Sequence, residues 1–299
     1  MLSRMTQKFG AQKHTGKKLD VLDHWHGFYP LALRYSRLRL IYIDAFAGTG
    51  EVLVADDDQT NLLLPDMESR RTVLAGSASR ALGAAIPYDE YVFIEKSPSK
   101  LKKLEAKLTT KFPERVSRCR FVRGDANNII KKICAETNWD RTRAVVFLDP
   151  FGNQIEWATL EAIAQTRAAD VWYLFPSGLG FWRQIPKDGV VDEAAAASVT
   201  RMVGDNSWQF LFTKRTTTQD LFGRDEVSVH RDASVAEVTE YAIGRLRTIF
   251  RGAVLDEYVR LGGTRKVPWY ALLFASANPG SKAKELALRV ARHIVRHAD

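Results

Sequence analysis

Four short segments of this chain carry residues able to hold a ligand or move a proton. The first is Asp44-Ala45-Phe46-Ala47-Gly48-Thr49-Gly50, an acid followed by a glycine turn. Glycines without side chains let a backbone come close to a ligand, although a plain tight turn has the same look. The second is Glu95, which closes the apolar run Tyr91-Val92-Phe93-Ile94. A carboxylate at a strand end is placed to accept hydrogen bonds from both hydroxyls of a ribose. The third is Asp125 in Arg123-Gly124-Asp125-Ala126, placed to accept from an adenine amino group. Either acid alone reads equally well as a helix cap. The fourth is Asp149-Pro150-Phe151-Gly152. Its proline fixes the backbone and removes a donor, and Phe151 offers a flat ring on which a planar amine can stack. Oxygens there can hold amine hydrogens while the nitrogen lone pair faces an electrophile, so catalysis would be positioning plus proton removal.

These groups need a scaffold that brings strand ends together. Short runs rich in β-branched and aromatic residues recur at Leu38 to Phe46, Tyr91 to Ile94, Phe121-Val122, Ala144 to Leu148 and Val171 to Phe175. Helical spacing fills the gaps at Ser77 to Ala85, Ser99 to Lys111, Asn127 to Glu136 and Trp157 to Thr166. Strands apolar on both faces that alternate with helices predict a parallel sheet covered on both sides. The expected fold is therefore α/β, a doubly wound Rossmann-like sheet with an N-terminal helix and an inserted subdomain. The expected organisation is a helical extension over 1–37, with apolar spacing from Leu19 to Arg34, and a cofactor-binding core over 38–176. A cover segment follows over 177–232, then the rest of the core over 233–299. That last part reads as a helix at Val235 to Phe250, strands near Gly252 to Val259 and at Trp269 to Ser276, and a helix from Ser281 to His297. Within the cover segment Trp182 and Arg183 are the residues expected to meet a substrate.

Bulk properties narrow the class. A chain of 299 residues with 45% hydrophobic residues can bury a substantial core. Its two cysteines, Cys119 and Cys134, exclude a disulfide scaffold and suit a reducing compartment. No stretch approaches the roughly 18 uninterrupted apolar residues of a membrane helix. Met1 to Lys18 lacks the apolar run of a signal peptide, so a cytoplasmic location is expected. His14, His24 and His26 have no Cys or Glu companion at ligand spacing; they read as surface or cap residues, and no metal is expected. Asp56-Asp57-Asp58 reads as a solvated turn in a long loop after the glycines. A net charge of +9, concentrated toward both ends, is either solvated helix faces or a surface for nucleic acid.

Taken in order, the four segments resemble the motifs of class I methyltransferases. More narrowly, the chain resembles the three-Cys-motif partner protein family (TcmP). The likeness starts with His14 and Lys17 ahead of a helix bearing Trp25, then Ile41-Tyr42-Ile43-Asp44-Ala45-Phe46-Ala47-Gly48. It continues through Gly76-Ser77, Phe93-Ile94-Glu95, Asp149-Pro150-Phe151-Gly152 and Phe175-Pro176-Ser177-Gly178 to Tyr270-Ala271-Leu272-Leu273-Phe274-Ala275-Ser276. The resemblance implies S-adenosyl-L-methionine as cofactor, contacted by Asp44, Gly48, Gly50, Glu95 and Asp125 with Phe46, Ala47, Lys96 and Ala126 beside them. It implies Asp149, Pro150 and Phe151 as the acceptor-side, catalytic residues. The family name implies a partner carrying three cysteines, similar to radical-SAM cluster proteins. Amino-methyltransferases typically have two prolines and an aromatic after the acid or amide; here Phe151 and Gly152 follow a single proline, which leaves the acceptor open.

Two functions of different class follow. One is a methyltransferase acting on an amino group of nucleic acid or protein; the other is a catalytically quiet Rossmann accessory subunit of a three-cysteine, cluster-bearing enzyme. A nicotinamide-dependent oxidoreductase fits less well, because the turn reads Gly-x-Gly without the third glycine that packs helix against strand.

Overall fold

The computed structural model describes residues 2–55, 71–219, 222, 225–264 and 267–298; for 2–15, 52–55, 71–74, 226 and 227 it describes the backbone alone. The stretch Asp56-Asp57-Asp58 lies outside the described residues. The strands are β1 (Arg39–Asp44), β2 (Glu51–Ala55), β3 (Arg71–Ala75), β4 (Glu90–Glu95), β5 (Cys119–Arg123) and β6 (Thr142–Leu148). They continue with β7 (Ala169–Phe175), β8 (Thr213–Gln219), β9 (Asp225–Arg231), β10 (Ala253–Val254), β11 (Val259–Leu261) and β12 (Tyr270–Ser276). The helices are α1 (Leu2–Leu33), α2 (Ser77–Gly83), α3 (Pro98–Lys111), α4 (Ala126–Glu136), α5 (Trp157–Gln165), α6 (Glu193–Val203), α7 (Trp208–Leu211), α8 (Val235–Ile249) and α9 (Ser281–Ala298).

The main sheet runs β5-β4-β1-β6-β7-β12, with β10 and then β11 paired along the outer side of β12. From β5 to β7 every pairing is parallel; Ile43 of β1 lies opposite Val92 of β4 and Val146 of β6. That is the doubly wound order, built outward from β1 in two directions. β12 is antiparallel to β7, with Leu273 opposite Tyr173, so this Rossmann-like sheet departs from the all-parallel dinucleotide order.

Strand alternation sorts the apolar side chains onto two faces. Ile41, Ile43, Val92, Ile94, Val146 and Tyr173 meet α4, α5, α6 and α8. Tyr42, Tyr91, Phe93, Phe147, Trp172 and Phe274 meet α1, α2, α3 and α9. α1 docks through Leu19, Leu22, Trp25 and Tyr29, and the Trp25 ring packs on Trp172 and Phe274. Burying such side chains stabilises the fold by about 1.5–3 kcal/mol each. Tyr29 donates to the carbonyl of Ala144 in β6 (3.4 Å), while Lys18 lies at Asp149 just past the end of β6. α1 therefore runs antiparallel to the parallel strands and carries its earlier residues toward their C-terminal ends.

The structure differs from the sequence reading in four places. α1 begins at Leu2 rather than Leu19, upstream of the apolar spacing that marks its docked half. The loop after the glycines contains an antiparallel pair, β2 with β3. The strand expected near 252–259 is two short pieces along β12, β10 and β11. The cover segment holds, besides helices, the β8–β9 hairpin. β8 reads Thr-Lys-Arg-Thr-Thr-Thr-Gln and is mostly exposed, so hydrophobic periodicity could not reveal it, although β-branched threonines suit a strand. The rest of the segment packs Phe181, Ile185, Val199, Met202, Trp208 and Phe212 into the core that β6 and β7 share.

Candidate active site

The chain progresses from β1 in one direction to β4 and β5, then in the other to β6 and β7, and a crevice opens where it turns back. Here that crevice is a cleft of about 650 Å³, within the usual range for a small-molecule site. Its walls come from the ends of four strands: Ala45, Phe46 and Gly48 after β1; Ile94, Glu95, Lys96 and Lys100 at β4; Gly124, Asp125, Ala126 and Asn127 after β5; Asp149, Phe151, Asn153, Gln154 and Glu156 after β6. Arg201 of α6 completes it from the cover segment.

Glu95 ties two of these walls together. One carboxylate oxygen accepts from the Gly48 amide (3.1 Å), the other from the Ser97 amide (2.8 Å). Each oxygen has a further lone pair, so the group can hold its own loops and still accept from a ligand. The two glycines of the turn differ. Gly48 has φ +60° with nothing within 4 Å of where a Cβ would stand, so it leaves space in the cleft. Gly50 has φ +74°, but a Cβ there would lie 2.6 Å from Leu104 of α3. Its carbonyl accepts from Gly76 (3.0 Å), closing the β2–β3 excursion. Gly48 thus serves the cleft and Gly50 the packing.

Asp125 is the N-cap of α4: Oδ1 accepts from the amides of Asn127 (3.0 Å) and Asn128 (3.3 Å). The cap fixes the carboxylate at the cleft wall and leaves Oδ2 outward of these bonds. Asn127, 6% exposed, then braces the opposite wall. It donates to the Gln154 carbonyl (2.8 Å) and accepts from the Glu156 amide (3.0 Å) and the Thr159 hydroxyl (2.8 Å). Asn153 donates to the Gly180 carbonyl (2.8 Å) and Ser198 (3.2 Å), attaching the cover segment to the cleft. Phe151 stands 87% exposed, its amide donating to Gln154 Oε1 (2.9 Å). No wall covers that ring.

Asp149, which lines the cleft, neighbours a second acid, Asp44, that lies beneath it on the α1 side of the sheet. Asp44 is fully buried; Ser77 donates to it at 2.5 Å and the Phe46 amide at 3.3 Å. Burial drives its proton affinity up to about 7, opposed by the Ser77 bond and reinforced by the nearby Asp149 charge. Asp149 forms an ion pair with Lys18 of α1 through Oδ2. Asp44 is thereby pushed toward the neutral form, and Asp149 beside it has Lys18 as its cation.

Of the residues singled out from sequence, Phe46, Gly48, Glu95, Lys96, Asp125, Ala126, Asp149 and Phe151 line one cleft. Asp44, Ala47, Gly50 and Pro150 are outside its lining. Trp182 and Arg183 do not reach it either, contrary to expectation. Trp182 is held down by its indole bond to the Ala233 carbonyl (2.8 Å) and lies under the Arg231 guanidinium (3.6 Å). Arg201 takes the position expected of them, and only packing of α6 across the cleft reveals it. Lys18 is likewise found only in three dimensions. His26 is not a surface residue: it is buried with Nδ1 at 3.0 Å from the Tyr88 hydroxyl, and burial lowers its proton affinity to about 3. The side chain of His14 lies outside the described residues. Among the described residues no group of three His, Cys, Asp or Glu is arranged to hold a metal. No helix among them is long and apolar enough to cross a membrane.

No family model and no curated protein matches the chain. Solved structures align with it over most of its length. A Legionella pneumophila protein of the DUF519 family model is 14% identical, with 97% of this chain and 93% of that one covered and a TM-score of 0.46. Trm1 from Pyrococcus horikoshii, in complex with S-adenosyl-L-methionine, is 12% identical over 96% of this chain and 76% of its own, at a TM-score of 0.37. An S-adenosylmethionine-dependent methyltransferase from Clostridium acetobutylicum is 11% identical over 85% and 90%, also at 0.37. The fold assignment rests on the strand order and register given above.

Proposed function

We propose that this protein is an S-adenosyl-L-methionine-dependent methyltransferase that acts on an amino nitrogen of nucleic acid or protein. The observation that carries this reading is the cleft itself, where Glu95 and Asp125, at the ends of adjacent strands, share a space with the bare backbone of Gly48. The donor set fits the cofactor: one carboxylate for a vicinal diol, one for an exocyclic amine, and a glycine whose missing side chain keeps the volume clear. When bound, the cofactor would supply an electrophilic methyl carbon. Asp149, anchored through Oδ2 by Lys18, keeps Oδ1 for an acceptor's amine hydrogen and can take up the proton that the nitrogen sheds. Phe151 presents an open ring to a planar acceptor. Two free thiols suit the cytoplasm, and the three-cysteine cluster-bearing partner follows from the sequence resemblance.

A second reading, a catalytically quiet accessory subunit, is favoured by the Lys18 ion pair, which already occupies part of the acceptor-side acid. Thermal-shift titration with S-adenosylmethionine, S-adenosylhomocysteine and NAD tests the cofactor. Ligands of the folded state raise Tm by mass action, so both sulfur cofactors should raise it and NAD should not. Absence of any shift with either sulfur cofactor sinks the methyltransferase reading and leaves the accessory subunit. Glu95→Ala should abolish most of the shift; an unchanged shift means that Glu95 does not hold the ribose. Methyl incorporation from labelled cofactor into copurified RNA, DNA or protein then separates enzyme from subunit.

A further inference from the structure

Away from the cofactor cleft, α1 and α9 enclose a groove of about 300 Å³. Lys17, Asp20 and His24 line it from α1, and His293 and His297 from α9, over a floor of Val21, Ile294 and Ala298. Half of the chain's six histidines meet here. The His24 Nδ1 lies 2.7 Å from the Asp20 carbonyl, and the His297 Nδ1 lies 2.8 Å from the His293 carbonyl. A carbonyl only accepts, so both Nδ1 atoms donate, and each ring is left with Nε2 for a ligand. A protonated ring offers that Nε2 as a second, charged donor. The His293 and His297 rings are 4.2 Å apart between centroids, so two positive charges there repel unless an anion lies between or beside them.

The acid that lines the groove, Asp20, and the acids near it are paired with arginines. Asp20 accepts from Arg80 of α2 at 3.2 Å, and Arg80 also pairs with Asp23. On the α9 side, Glu257, from the segment between β10 and β11, accepts from Arg292 (3.0 Å) and Arg296 (2.9 Å). Lys17 has no carboxylate partner among the described residues. The standing charges that line the groove, Lys17 and Asp20, balance each other, and any protonated imidazole makes it positive.

We propose that the groove between α1 and α9 is a phosphate-binding site whose affinity is governed by protonation of His24, His293 and His297. Lys17 supplies a permanent charge, and the imidazoles add charge-assisted donors as pH falls. The site stands next to the cleft: Lys17 and Lys18 are neighbours on α1, one lining the groove and the other paired with Asp149. A phosphate here comes either from a nucleic-acid backbone or from a small phosphorylated molecule. The assignment is independent of what the cofactor cleft binds.

Sulfate is the probe of choice, because its charge does not change over the histidine range. In NMR spectra of ring-labelled histidines, sulfate should shift His24, His293 and His297 together and leave buried His26 and the hairpin residue His230 in place. Binding linked to uptake of a proton should be about tenfold weaker near pH 8 than near pH 6. The double variant His293→Gln/His297→Gln, and separately Lys17→Gln, should each weaken it about tenfold near pH 6, as expected for loss of a charge-assisted bond. All of these side chains are solvent-facing or half-buried on the helices, so the fold should survive. Absence of shifts at the three rings, an affinity flat with pH, or tight binding by the double variant overturns the proposal. Displacement of sulfate by a single-stranded oligonucleotide assigns the site to a nucleic-acid backbone; displacement by inorganic phosphate alone assigns it to a small phosphorylated molecule. Displacement by neither also overturns it.

Discussion

Replacing Asp44 with asparagine tests whether the acid under the cleft resists ionisation. The carboxyl is fully buried, with one neutral hydroxyl donor and one amide donor, and Asp149 lies near it. Burial and that neighbour carry its proton affinity from the ordinary 3.8 to about 7. Because the folded value is above the unfolded one, the native state binds the proton more tightly. Native stability is therefore lost as pH rises from about 4, and the loss is complete above about 7. A displacement of that size corresponds to on the order of 4 kcal/mol, a large share of the 5–15 kcal/mol that holds a typical domain folded. Asparagine has nearly the same shape, can donate to Ser77 Oγ and can still accept from the Phe46 amide. Asp44→Asn should thus match wild type near pH 4 and exceed it by several kcal/mol near pH 8. Urea unfolding at intervals across that range measures it, with equal m-values required for the comparison. Asp170, buried and likewise raised to about 7, is present in both proteins and cancels from the difference. Parallel stability curves for the two proteins would refute the reasoning.

Other substitutions probe the remaining parts of the site. Lys18→Met removes a charge that lowers the proton affinity of Asp44, so the Asp44 carboxyl resonance should titrate at higher pH than in wild type. Gly50→Ala puts a methyl against Leu104 at positive φ and should cost about 1–3 kcal/mol of stability by urea unfolding. Gly48→Ala meets only open space, should cost about 1–2 kcal/mol for the left-handed backbone, and should reduce the cofactor-induced Tm shift far more than Gly50→Ala does. Burial raises both thiols, Cys119 and Cys134, to about 12. Both are partly buried, so each should react far more slowly with a thiol reagent near pH 8 than after urea unfolds the chain, and equal rates would contradict that raised affinity.

The strands and their terminal acids were legible in the sequence, because each depends on residues close together in the chain. Apolar runs rich in valine, isoleucine and aromatics mark β1, β4, β6 and β7. Glycine, proline and acids punctuate their ends, so Glu95, Asp125 and Asp149 could be placed at the C-terminal edge without coordinates. Which way each acid points was a different matter. Asp44 alternates onto the same face as Tyr42 and is sealed under α1 and α2, whereas Gly48, four residues later, opens to the cleft. Partners distant in sequence were also out of reach: Lys18 meets Asp149 across 131 residues, and Arg201 arrives on a helix of the cover segment. So were the β8–β9 hairpin, whose exposed polar strands carry no hydrophobic period, and the groove at Lys17, which needs α1 and α9 side by side. Local pattern determines which backbone segments become strands and turns, since those preferences act over a few residues. Burial, and with it protonation, pairing and access, depends on what packs against a side chain, and only the tertiary structure decides that.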